Sequence, residues 1–146
     1  MPRKPSLRPR ILLAAPYDAE ALLRRALGPL ELELFAAHDG DSAMRAVERG
    51  IDLVVCTLRF DESRMLDFAA RIAHARPHLP VVCCRVLSRL PGASLDAAFA
   101  AAGRLGAVEM VNLGRVARRE GVPNAEEQLR AAVLAHLHGV GHTSMS

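Results

Sequence analysis

Residues 52–60 read DLVVCTLRF, an acidic residue followed by an almost unbroken apolar run that stops at the hydroxyl of Thr57 and the cation of Arg59. A strand with one face in water alternates apolar and polar residues. One covered on both faces loses that alternation, as central strands of parallel sheets do. Residues 80–87, PVVCCRVL, read the same way. Two such runs predict a parallel sheet with helices on both sides.

Working outward, the first strand is RILLAA (10–15), and Asp18 is expected to cap a helix whose Ala19, Leu22, Leu23, Ala26 and Leu27 share one face. Gly28 and Pro29 end it. The stretch LELELFA (30–36) alternates Leu with Glu, the pattern of a strand at a sheet edge. A helix from about Ser42 to Arg49 then closes on Gly50. Asp61, Glu62 and Ser63 open another, which buries Met65, Phe68, Ala69, Ile72 and Ala73 and exits at Pro77. A helix from about Ser94 carries Leu95, Ala98, Phe99, Ala102 and Leu105 on one face and leads through Gly106 to a fifth strand, AVEMVNL (107–113). The last helix is expected from Asn124, with Glu127 completing a capping box, and buries Leu129, Ala132, Val133 and Leu137.

This strict alternation predicts an α/β fold: a doubly wound five-stranded parallel sheet in the order 2-1-3-4-5, which leaves the alternating second strand at an edge. The expected organisation is a basic arm at residues 1–9, one domain at 10–138 and a flexible tail at 139–146. In such sheets the functional crevice lies beyond the carboxyl ends of the first, third and fourth strands, which places Thr57 in it.

Composition narrows the function classes. Hydrophobic residues make up 51% of the 146, with no Trp and one Tyr, so aromatic stacking is not the expected means of capturing a ligand. The formal charge is +3, and Arg3, Lys4, Arg8 and Arg10 contribute four positive charges, leaving 3 − 4 = −1 for the rest. Basicity is therefore a property of the arm, which could meet nucleic acid or an acidic surface. The apolar run ILLAA stops at Pro16, short of the roughly 7–15 residues of a signal-peptide core. Cys56, Cys83 and Cys84 are odd in number and lie in apolar runs, which points to a reducing, cytoplasmic setting. A redox pair of Cys56 and Cys84 on adjacent strands is conceivable, but neither sits in a CxxC motif. His136, His138 and His142 share no stable helical face and predict no metal site.

On these residues the chain resembles the receiver domain of two-component response regulators, a CheY-like (flavodoxin-like) three-layer sandwich, from Arg10 to Leu137. DLVVCTLRF matches the family's third strand, ARPHLPVVCCRV its approach to the fourth, and GAVEMVNL the segment around its fifth. The resemblance implies a phosphate-accepting Asp where Thr57 stands. It implies a magnesium-holding acidic pair where Ala15 and Pro16 stand, and a hydroxyl residue near Arg85. It further implies a Lys at Leu113 and a switch aromatic at Met110. Three carboxylates and one Lys become one Arg, moving the local charge from about −2 to about +1 and disfavouring a divalent cation. Receiver phosphorylation needs the carboxylate nucleophile, the hard cation and the Lys together. Asp18 or Asp61 could reach the pocket, although each suffices as part of a helix start, and Arg85 is expected to pair with one of them.

The expected function is that of a degenerate, phosphorylation-independent receiver, not an enzyme, without metal or cofactor. It would bind another signalling protein, or itself, through the face formed by the helix near Ser94, the fifth strand and the last helix. The alternatives are a small-molecule or anion site using Arg85, and nucleic-acid association through the arm.

Overall fold

The structure, a computed structural model, describes residues 8–57, 65–85 and 108–145. In chain order its elements are β1 (Arg10–Ala14), α1 (Tyr17–Leu27), β2 (Glu33–Ala37), α2 (Gly40–Glu48), β3 (Leu53–Thr57), α3 (Met65–Ala75), β4 (Val81–Arg85), β5 (Val108–Asn112), α4 (Leu113–Glu120) and α5 (Val122–Met145). The strands form one parallel sheet in the order β2-β1-β3-β4-β5.

Side-chain alternation along β1 explains the layers. Ile11, Leu13 and Ala15 pack with Leu53, Val55, Val82 and Cys84 against Leu23 and Leu27 of α1 and Leu129 and Val133 of α5. Leu12 and Ala14 face the other way, packing with Val54, Cys56, Val81 and Cys83 against Ala43 and Val47 of α2 and Phe68 and Ile72 of α3. All five residues of β3 are buried, as an unbroken apolar run requires. Each fully buried aliphatic side chain stabilises the sandwich by about 1.5–3 kcal/mol.

Several local readings need correction. β2 starts at Glu33, not Leu30, because Leu30 and Leu32 still close turns onto Leu27 and Leu30. Leu22 is 44% exposed, while Leu23 and Leu27 carry the buried face of α1. Arg10, whose charge was counted with those of the arm, opens β1 as expected: its backbone N–H donates to the Asp52 carboxylate at 2.8 Å, and its guanidinium lies 4.9 Å from the centre of the Phe35 ring. Gly50 takes φ +102° after α2, a backbone state that glycine adopts without strain.

A helix not expected from the sequence, α4, begins at Leu113 directly after β5. Gly121, at φ +99°, turns the chain from α4 into α5. No capping box forms at Asn124, which lies within α5; its side-chain amide donates to the Glu120 carbonyl at 2.7 Å and closes the end of α4 instead. Helical backbone continues to Met145, past the boundary expected at 138. The helix expected near Ser94, including Phe99, and the opening at Asp61–Ser63 lie outside the described residues, as do residues 1–7 of the arm.

Leu129 is fully buried where α5 meets the sheet. Leu129→Ala should cost about 2–5 kcal/mol in urea unfolding, through lost transfer energy and the cavity left behind.

Candidate functional site

The carboxyl ends of β1 and β3 lie side by side, with Ala14 opposite Cys56 and the chains continuing to Ala15 and Thr57. Thr57 pairs in register with Cys84 of β4. Ala15 is fully buried and its N–H donates to the Ala37 carbonyl at 3.1 Å, so it forms part of the crevice floor. Pro16 caps α1 in extended conformation, φ −62° and ψ 161°, and brings no side-chain acceptor.

Thr57 is 4% exposed, and its Oγ1 has no hydrogen-bond partner among the described residues. A buried hydroxyl in that state costs about 1–3 kcal/mol. The expected helix-capping role of Asp18 is not observed. The residue lies inside the first turn of α1, exposed, with its carboxylate 2.9 Å from the Ala19 N–H. Its negative charge still suits a helix N-terminus.

Ala15 and Thr57 thus extend neighbouring strand ends with Pro16 next in the chain, and the side chains of the three offer a single neutral oxygen. That donor set does not fit a hard divalent cation, which takes several oxygen ligands, commonly carboxylates. No group of three or more metal-ligating side chains occurs among the described residues. Arg85 ends β4 opposite Asn112, but its side chain lies outside the described residues, as do those of Met110 and Leu113. Met110 is in β5 opposite Cys83. Leu113 begins α4 and does not end the strand, since β5 stops at Asn112. Asp61 lies outside the described residues.

One cluster at the rim was missed by sequence reasoning. The Tyr17 ring stacks on His38, centroids 3.7 Å apart at 18°. His38 Nε2 lies 2.6 Å from Glu20 Oε1, and the Arg24 Nε–H donates to Glu20 Oε2 at 2.5 Å. These contacts tie α1 to the turn after β2. The Glu20–Arg24 spacing of four was a legible signal. His38, eighteen residues from Glu20, had none. The Arg24 hydrogen bond, and after it that of His38, hold the Glu20 carboxyl below its ordinary range. At the next helix, Asp39 accepts from the Ser42 N–H at 2.8 Å, which lowers its pKa in the same sense.

No family model matches the chain, and no curated protein does. Solved structures do. The signal receiver domain of an HD domain-containing protein from Pseudomonas fluorescens Pf-5 superposes with a TM-score of 0.72 at 20% identity, covering 99% of this chain and 97% of that one. A response regulator from Thermotoga maritima gives 0.68 at 17% identity, covering 90% and 99%. A response regulator receiver protein from Pseudoalteromonas atlantica gives 0.65 at 19%, covering 90% and 99%. The chain therefore has the fold of signal receiver domains.

Thr57→Val removes the unpartnered hydroxyl at nearly constant volume and should leave stability unchanged or raise it by about 1–2 kcal/mol in urea unfolding. Because the folded-state pKa of Glu20 is lowered, its stabilisation is fully present above the ordinary glutamate value of about 4.3 and is lost as pH falls through the lowered one. Below that ordinary value the native chain should therefore lose stability more steeply with falling pH than Glu20→Gln, as read from urea midpoints against pH.

Proposed function

We propose that this chain is a pseudo-receiver of a signal-transduction pathway, working by protein–protein contact without phosphorylation. The observation that carries the reading is the crevice itself: the receiver fold is present, and the positions that would hold cation and phosphate are Ala15, Pro16 and the hydroxyl of Thr57. Thr57 cannot form an acyl phosphate, and its neighbours at the strand ends supply no base to activate the hydroxyl. On this reading the chain is not an enzyme and needs no cofactor.

The scaffold is the functional part. Its sheet is covered by α1 and α5 on one side and by α2 and α3 on the other, which leaves the outward helix faces to recognise a partner. The face around β5 and the last helix is the proposed contact, with another signalling protein or a second copy. Without a phosphate switch, regulation would come from differential affinity of that partner for two states. A cytoplasmic setting fits a signalling role, and no helix among the described residues is long and apolar enough to cross a membrane.

The chain should take up no acid-labile phosphate from acetyl phosphate, and magnesium should not shift its melting temperature. Thr57→Asp should not restore labelling, because Ala15 and Pro16 still bring no cation ligand. Stoichiometric labelling of the native chain, read by intact mass, would overturn the proposal.

A further inference from the structure

Two of the three cysteines are placed as a pair. Cys56 of β3 and Cys83 of β4 are register partners, so their side chains leave the sheet on the same face. Their sulfurs lie 3.4 Å apart, both residues fully buried among Ala14, Val54, Phe68 and Val81. Cys84, the neighbour in sequence, faces the opposite core and partners Thr57. The sequence predicts buried cysteines outside any redox motif, with Cys56 and Cys84 only a conceivable pair; in the sheet it is Cys83 that stands opposite Cys56. No disulfide joins any of the three.

We propose that Cys56 and Cys83 are a redox pair that hydrogen peroxide converts into a disulfide joining β3 to β4, one residue before Thr57. The sulfurs need to close from 3.4 Å to about 2.05 Å. Register partners on neighbouring strands allow this by side-chain rotation and a small strand adjustment. The hydrogen bond with Cys83, and then burial, push the Cys56 thiol up, so the closed sheet holds the pair in the unreactive thiol form. Reaction proceeds when the β3–β4 pairing opens locally and admits water and peroxide.

In the opened state one thiol gives its proton to water, and its thiolate attacks a peroxide oxygen. The O–O bond breaks, hydroxide leaves and is protonated to water, and a sulfenic acid remains. The second sulfur then attacks the sulfenic sulfur, its proton joins the departing hydroxyl, and a second water leaves. Two electrons have passed from the sulfurs to the peroxide. The cross-link clamps the two strands beside the crevice and supplies a covalent input that does not depend on phosphate chemistry.

The test treats the full native chain with hydrogen peroxide, removes it, and counts alkylatable thiols in denaturant under non-reducing conditions. The count should fall from three to one, with the intact mass lower by two hydrogens. Fragmentation should join Cys56 to Cys83 and leave Cys84 alkylated. Cys84→Val should go from two thiols to none, whereas Cys56→Val should form no intramolecular bridge. Circular dichroism confirms that each variant is folded before treatment. A thiol count that stays at three, a bridge to Cys84, or sulfinic and sulfonic products at Cys56 and Cys83 would each overturn the proposal. None of these outcomes bears on acetyl-phosphate labelling, so the two readings fail separately.

Discussion

The strands β1, β3 and β4 are shielded from water on both faces, so their backbone amides and carbonyls must be paired within the sheet. Parallel pairing meets that need, and it forces the connections to cross the sheet as helices. From this follow the two cores: Ile11, Leu13 and Val55 against α1 and α5, and Leu12, Val54 and Cys56 against α2 and α3. It follows too that all carboxyl ends emerge on one edge. The crevice at Ala15, Pro16 and Thr57 is a consequence of that geometry before any chemistry is considered.

Keeping the fold while changing the crevice is physically inexpensive. The side chains that hold the layers together lie along the strands and on the inner helix faces, whereas the crevice residues sit past the strand ends. A carboxylate at position 57 would be buried and would need a cation or a Lys beside it. Thr57 at 4% exposure avoids that cost and leaves only a neutral hydroxyl, without a partner among the described residues. Substitution at these positions therefore leaves the packing of the layers intact. At the rim, the contacts of Tyr17, His38, Glu20 and Arg24 secure α1 to the turn after β2.

The central strands were legible because double-sided burial writes itself as continuous runs, in LVVCT and VVCCR, and the edge strand because one-sided burial leaves Leu–Glu alternation. Helix termini were read less well. Asp18 has the chemistry of a cap but lies one turn position inside α1, since Pro16 already supplies the extended residue before the helix. Asn124 has the same chemistry and serves the helix before it, because Gly121 turns the chain there. Both readings failed because a capping side chain can satisfy either of two nearby backbone groups, and only the path of the chain selects one.

By itself the sequence determined the class of sheet and the strand that lies at its edge, because burial periodicity is a local property. Tertiary structure decided which side chains meet. That Cys56 faces Cys83 and not Cys84 depends on the register of β3 against β4, and a shift of one residue would exchange their faces. That His38 reaches Glu20, and that Arg10 folds over Phe35, depends on how β1, β2 and α1 pack. Contacts between distant residues carry no periodicity along the chain, so they are settled only once the chain has closed on itself.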